Sequence, residues 1–200
     1  MNDINIKYPL IESFTSIQGE GIHMGKGATF LRLAGCNLRC RWCDTEYSFD
    51  PSKARWMSAQ EIVDEIEMPH QHIVITGGEP TLYDLGPLVR ELHKRGKYVA
   101  IETNGTHPIP AEWEIDWITA SPKPAGGFVL ACPADELKYV VDDDFSIDCI
   151  TDREMPEGRI FLQVESGRPE SAQKAYDLIQ QYPERRLRLG IQLHKILDIK

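Results

Sequence analysis

The chain has 200 residues, 42 % of them hydrophobic, with 22 basic against 31 acidic side chains and a formal net charge of −9. That length and apolar content suit one compact domain over residues 1–200 with a sizeable core, and the acidic balance speaks against the phosphate-neutralising surface of a nucleic-acid binder. No apolar run approaches a bilayer-crossing length, the first residues lack the character of a secretory leader, and five cysteines, three of them clustered, suit a reducing compartment, so a cytoplasmic protein is expected.

In chain order, Leu10–Ile17 reads as a first strand that ends in Gln18-Gly19-Glu20-Gly21. Two glycines there serve either a tight turn or a close approach of backbone to ligand. A second strand, Thr29–Leu33, surrounds Arg32 with Phe30, Leu31 and Leu33. An arginine so placed is costly to bury unless it meets an anion; the alternative is that it faces outward.

Gly35-Cys36-Asn37-Leu38-Arg39-Cys40-Arg41-Trp42-Cys43-Asp44 follows, three cysteines spaced C-x-x-x-C-x-x-C in a short polar loop. Three thiolates are one short of the four that fill the iron corners of a 4Fe–4S cluster, which leaves one iron for a small-molecule ligand. A structural zinc site wants four protein ligands, and no second cysteine pair or histidine pair completes one. On spacing alone zinc and redox-dithiol use stand as alternatives. Asp44-Thr45-Glu46 then places oxygen atoms beside the loop, where Mg²⁺, content with one or two protein oxygens, is an option and an ordinary solvated loop is the other.

Ser58-Ala59-Gln60-Glu61 is a capping box that opens a helix burying Ile62, Val63 and Ile66. Ile73-Val74-Ile75 is a continuous apolar run, as in a strand covered on both faces. It leads through Thr76-Gly77-Gly78 into Glu79-Pro80, read as the start of a helix that carries Leu82, Leu85, Leu88, Val89 and Leu92 and stops at Gly96. This is a βα unit whose C-terminal strand edge holds ligands, and a phosphate loop is disfavoured because the Gly-Lys-Ser/Thr ending is missing.

The pattern repeats. Tyr98–Ile101 is a strand followed by the polar loop Glu102-Thr103-Asn104-Gly105, and Trp113–Ala120 is a strand finishing at Ser121-Pro122-Lys123-Pro124. Leu137–Val141 and Ile160–Val164 are further strands, with Asp142-Asp143-Asp144 read as a solvated turn. A helix over Glu170–Gln181 buries Ala172, Ala175, Tyr176 and Ile179, and Leu187, Leu189, Ile191 and Leu193 alternate with polar residues as a last strand, His194 on its polar side. Cys132, Cys149, His23 and His107 read as spectators. Alternating strands and helices imply an α/β fold on a mostly parallel sheet. The chain is short of the roughly 250 residues of a full eight-unit barrel, so an incomplete, open β/α barrel is expected.

The cysteine triplet with Trp42 and Asp44, together with Thr76-Gly77-Gly78-Glu79-Pro80, resembles the radical S-adenosylmethionine enzymes. Gln18-Gly19-Glu20-Gly21, Phe30-Leu31-Arg32-Leu33, Trp42-Cys43-Asp44-Thr45, Ser121-Pro122-Lys123 and Gln192-Leu193-His194-Lys195 narrow the likeness to the family of 7-carboxy-7-deazaguanine synthases, from about Glu12 to the last residue.

That resemblance implies a lyase that uses a 4Fe–4S cluster, S-adenosyl-L-methionine and Mg²⁺. Its substrate would be a pterin, 6-carboxy-5,6,7,8-tetrahydropterin, contracted by radical chemistry with loss of ammonia to 7-carboxy-7-deazaguanine, a precursor of queuosine. It implies cluster ligation by Cys36, Cys40 and Cys43 and an Mg²⁺ contact at Thr45. S-adenosylmethionine would meet Trp42, Cys43, Asp44, Gly78, Ser121, Pro122, Lys123 and Gln163, and the substrate Ile17, Gln18, Gly19, Arg32, Thr76 and Lys200. A reducing donor such as a flavodoxin and a homodimer are implied as partners. This sequence departs from the family in following Gln163 with Val164-Glu165, where proline is commoner, and in carrying lysine at position 200. A glycyl-radical activase, acting on a protein partner, shares the triplet, but Arg32 and Gln18 favour a small heterocycle.

Overall fold

A computed structural model describes residues 6–150, 155–165 and 168–200. Among the described residues nine strands form one sheet: β1 (Lys7–Ile17), β2 (Gly27–Leu33), β3 (Arg55–Ser58), β4 (His72–Gly77), β5 (Tyr98–Thr103), β6 (Trp117–Ala120), β7 (Glu136–Val141), β8 (Ile160–Val164) and β9 (Arg188–Gly190). Their spatial order is β3-β1-β2-β4-β5-β6-β7-β8-β9. β1 runs antiparallel to both β2 and β3, and every pairing from β2 to β9 is parallel. The helices are α1 (Ala59–Glu65), α2 (Gly86–Lys94), α3 (Pro169–Gln181) and the single turn α4 (Leu193–Ile196).

Successive strand residues face opposite sides. One side carries Leu31, Leu33, Ile73, Ile75, Val99, Ile101, Leu137, Tyr139 and Leu162 into the main core, where they meet Ile62 and Val63 of α1 and Leu88, Val89 and Leu92 of α2. The other side begins with a small apolar layer of Ala28, Phe30, Val74 and Ala100. Further along β2, β4 and β5 it turns polar, with Arg32, Thr76 and Glu102, and β7 and β8 add Lys138 and Gln163. The sheet is not closed by strand pairing. Instead the chain after β9 reaches the loop after β1, where Leu193 N donates to Gly19 O at 2.9 Å. The expected partial barrel is the observed one.

The capping box is present, with Ser58 Oγ accepting from Glu61 N and Glu61 Oε2 accepting from Ser58 N, at 3.2 and 2.7 Å. Several sequence-based boundaries need correction. Pro80–Leu82 is only a 3-10 turn, because the Glu79 carboxylate accepts from Thr81 N and caps it locally; α2 starts later at Gly86, with Pro87 in its first turn, and leaves Leu82 39 % exposed. The strand expected from Trp113 begins at Trp117, since Ala111–Trp113 forms a 3-10 turn that ends in left-handed Glu114, φ 55°. The final strand stops at Gly190, where Leu193 N turns to Gly19 instead of a ladder partner, so Leu189 lies 45 % exposed. Tyr176, expected inside, is 54 % exposed. Asp142 is not solvated but 4 % exposed.

At the end of the barrel where the parallel strands begin, His23 packs on His72 and Trp117 with ring centroids 4.9 and 4.6 Å away, and Arg159 stacks on Trp117 at 4.5 Å. Burial, reinforced by Lys26, His72 and Arg159, lowers the His23 pKa to about 4, and burial with Lys26 lowers that of His72. An imidazole with a depressed folded pKa takes up its proton more readily in the unfolded chain. Its contribution is therefore complete above the ordinary value of 6.5 and is lost as pH falls from there toward about 4. In urea titrations the unfolding midpoint of the apoprotein should drop across that window, and His23→Gln should flatten the slope. Identical slopes in the two proteins would remove His23 from the account.

Candidate active site

A cavity of about 390 Å³ opens at the C-terminal ends of the parallel strands. Every residue assigned above to cluster, cofactor, metal or substrate lines it, apart from Pro122.

The cysteine loop forms one wall. It leaves β2 through Ala34 and Gly35, and β4 must end close against it. Gly78 N donates to Leu33 O at 3.0 Å, Glu79 N to Gly35 O at 2.7 Å, and Gly35 N to Ser48 O at 2.7 Å. A β-carbon on Gly78 would sit 2.1 Å from Gly35 O, so only glycine permits this approach. Cys36, Cys40 and Cys43 carry free, half-buried thiols. Leu38 N donates toward Cys36 Sγ at 3.4 Å, and Cys43 N donates to Cys40 O at 3.2 Å. Burial raises the pKa of Cys36 and Cys40; a metal would have to displace those protons on binding. Among the described residues no three His, Cys, Asp or Glu side chains converge tightly enough to hold a single metal ion. A cubane differs, taking each thiolate on a separate iron, and the set of three free thiols on the cavity wall fits it.

Above the cysteines, Trp42 Nε1 donates to Asp142 Oδ2 at 2.9 Å, and the Lys123 ammonium lies 4.9 Å from the indole centroid while donating to Ser121 Oγ at 2.6 Å. Burial, then Lys138 nearby, lowers the Lys123 pKa to about 8. Gln163 is 3 % exposed, and both its amide nitrogen and its amide oxygen are buried without a hydrogen-bond partner. Orphaned donors and acceptors are costly, and a side chain of this kind on a cavity wall suits a polar ligand group. Gly190 lies against it; a β-carbon there would come within 2.6 Å of Gln163 Oε1.

The floor is charged. Lys138 Nζ pairs with Glu20 and, at 3.5 Å, with Glu102, whose other oxygen accepts from Gln18 Nε2 at 2.9 Å. Burial alone would push Glu102 upward, but Lys138 and the Gln18 amide hold its pKa below the ordinary carboxylate value. Lys138 is likewise raised by Glu102 and Glu20 against its burial. Deeper still, Glu136 accepts from Ile22 N and Thr119 Oγ1, and burial raises its pKa.

On the other side, Arg32 is not the isolated cation its strand suggested. Its Nε donates to Glu12 Oε1 at 2.7 Å, and Glu12 also takes Tyr47 OH at 2.5 Å and Lys200 Nζ at 3.0 Å. Phe14 and Phe30 stack beneath, centroids 4.9 Å apart and planes within 6°, with the Lys200 ammonium 4.8 Å from the Phe14 ring. Thr76 lies opposite Arg32 in the strand register. Asp44 accepts from Lys195 Nζ at 2.5 Å, and Thr45 Oγ1 lies 3.7 Å from Cys43 Sγ. Gln192 Nε2 donates to Glu20 Oε1 at 2.8 Å, and the His194 ring is packed on the Gly19 backbone.

Sequence reasoning missed Glu12, Tyr47, Glu20, Glu102 and Lys138 as cavity residues. For Lys138 a signal existed, since a lysine inside the apolar strand Leu137–Val141 is as anomalous as Arg32 inside β2.

Residues 31–116 match the Radical SAM superfamily. The chain is 39 % identical over 191 residues to the 7-carboxy-7-deazaguanine synthase of Bacteroides thetaiotaomicron, covering 94 % of this chain and 97 % of that protein. It is 34 % identical over 206 residues to the synthase of the same name from Synechocystis, covering 98 % and 96 %. Among solved structures, Escherichia coli QueE superposes with a TM-score of 0.75 at 28 % identity, covering 97 % of this chain and 99 % of that one. The chain belongs to the 7-carboxy-7-deazaguanine synthase family of radical S-adenosylmethionine enzymes.

Proposed function

We propose that this protein converts 6-carboxy-5,6,7,8-tetrahydropterin to 7-carboxy-7-deazaguanine with loss of ammonia, in the route to queuosine and related deazapurines. The observation that carries the reading is that one cavity gathers the three cysteines, the orphaned Gln163 amide and the charged floor, in a chain aligned to its relatives over nearly its whole length. The glycyl-radical activase reading is not favoured, because the full-length relatives are named as deazaguanine synthases.

The cluster and S-adenosylmethionine, when bound, supply a one-electron cleavage that generates a carbon radical. Cys36, Cys40 and Cys43 hold the cluster. Gly78 lines the cavity, Gln163 offers an amide with no competing partner, and Trp42, Asp44, Ser121 and Lys123 complete the cofactor's surroundings, with Pro122 behind that lining. Lys123, an ammonium whose pKa burial lowers to about 8, gains if a carboxylate comes to rest beside it.

Ile17, Gln18, Gly19, Arg32, Thr76 and Lys200 take the substrate. Arg32 has only Nε engaged with Glu12 among the described contacts, which leaves its terminal nitrogens as a fork for the pterin carboxylate. Glu20 and Glu102, both paired with Lys138, face a ring that carries N–H donors. Thr45 would offer its hydroxyl to Mg²⁺, an ion that takes only one or two protein oxygens. Family likeness supports a homodimer, reduction by a flavodoxin-type donor and a cytoplasmic setting; no helix among the described residues is long and apolar enough to cross a membrane.

Anaerobic incubation of the reconstituted protein with dithionite, S-adenosylmethionine, Mg²⁺ and the tetrahydropterin should form 7-carboxy-7-deazaguanine over many turnovers, read by mass spectrometry. Deoxyadenosine without deazaguanine would retain the radical chemistry and sink the substrate. Cys40→Ala should lose both the brown chromophore and cofactor cleavage, and surviving cleavage would overturn the ligand assignment. Arg32→Ala should keep cofactor cleavage and weaken pterin binding by about 2–5 kcal/mol; an unchanged affinity would place the carboxylate elsewhere.

A further inference from the structure

Cys36 is held from both of its neighbours in the chain. On one side Gly35 O accepts from Glu79 N at 2.7 Å. On the other, Asn37 leaves the loop to join a closed ring of side chains. Asn104 Nδ2 donates to Asn37 Oδ1 at 2.9 Å, Asn37 Nδ2 donates to Thr106 Oγ1 at 2.9 Å, and Thr106 Oγ1 donates to Asn104 Oδ1 at 2.6 Å. Each member both gives and accepts, which an asparagine amide can do and a carboxylate cannot.

Both anchors return to one residue. Glu79 is fully buried, and Oε2 accepts from Asn104 N at 2.6 Å while Oε1 accepts from Thr103 Oγ1, Thr81 N and Thr81 Oγ1 at 2.7, 3.0 and 2.5 Å. Its backbone thus sets residue 35 and its carboxylate sets residue 104, which sets residue 37. A local turn at Asn104–Thr106 needs only the bond from Thr106 N to Asn104 Oδ1 at 3.0 Å. The bond from Asn104 to Asn37, across 67 positions of sequence, is surplus to that turn and ends on the cysteine loop.

We infer that Asn37 and Asn104 are positioning residues: their bond, fixed through Glu79 to the ends of β4 and β5, holds the Cys36 thiol in register with Cys40 and Cys43 for iron. The inference rests on the reading of Cys36 as a cluster ligand. Neither amide touches a reacting atom in this role. The brace sets how firmly the loop keeps its iron, not what the cavity recognises.

The test is anaerobic iron release from the reconstituted full-length protein to an external chelator, followed by loss of cluster absorbance, with thermal unfolding of the apoprotein alongside. Asn37 is exposed, so Asn37→Ala removes two hydrogen bonds without opening a core cavity. Release should quicken on the order of tenfold, the scale of one or two lost hydrogen bonds, while the apoprotein midpoint stays at the wild-type value. Asn37→Asp keeps the acceptor for Asn104 Nδ2 and should lie nearer wild type. A wild-type rate in Asn37→Ala overturns the inference. So does an acceleration that Asn37→Asp shares in full, or one matched by a fall in the apoprotein midpoint. Wild-type protein that takes up no iron and sulfide would instead sink the cluster reading on which the inference stands.

Discussion

A lysine buried inside a sheet is tolerated only where its charge is matched, and Lys138 is matched twice, by Glu20 from the loop after β1 and by Glu102 from β5. Much of the site follows from that requirement. Glu20 is drawn inward and brings the Gln18–Gly21 loop with it. Gln192 then reaches Glu20 from the far edge of the sheet, so the two ends of an open barrel are held together through the same carboxylate. Removing one partner from such a layer leaves an uncompensated charge in a poorly solvated place, which costs far more than the pair contributes. The charges also make the cavity selective. A ligand must present groups that can replace water on these side chains without breaking their mutual pairing.

The second constraint is close packing of main chain at the mouth of the barrel. Gly78 lets β4 end against Gly35, and the cysteine loop is thereby fastened to the sheet by backbone hydrogen bonds before any metal arrives. Trp42 to Asp142 and Asp44 to Lys195 fasten it at two further places, just after β7 and on the segment after β9. A loop rich in polar and charged residues would otherwise be mobile and solvated. Preformed attachment lowers the ordering cost when a cluster binds.

The sequence displayed the parallel strands well, because Ile73–Ile75, Tyr98–Ile101, Leu137–Val141 and Ile160–Val164 are apolar runs with glycine or polar residues at their ends. It displayed the cysteine triplet and the glycines after β4 because their spacing admits few readings. It hid what depends on distant pairing. β3 is four residues long and exists through its register with β1. Pro80 looked like a helix start, but the neighbouring carboxylate caps a 3-10 turn and the helix waits for Gly86. The alternation at Leu187–Leu193 spoke for a strand, yet Leu193 N has its acceptor in Gly19, on the other side of the barrel. Asp142 looked like part of a solvated acidic run because nothing local reveals that Trp42 will reach it, and Arg32 looked unpaired because Glu12 meets it only through the antiparallel register of β1 with β2.

The seam between the Gln18–Gly21 loop and the Gln192–Lys195 segment differs in kind from every other junction between neighbouring strands. It is joined by one backbone hydrogen bond, a few side-chain pairs and the packing of His194 on Gly19, where the other junctions are ladders. Local opening follows the least protected contacts. Parting this seam would therefore break no strand ladder and leave the hydrophobic core in place.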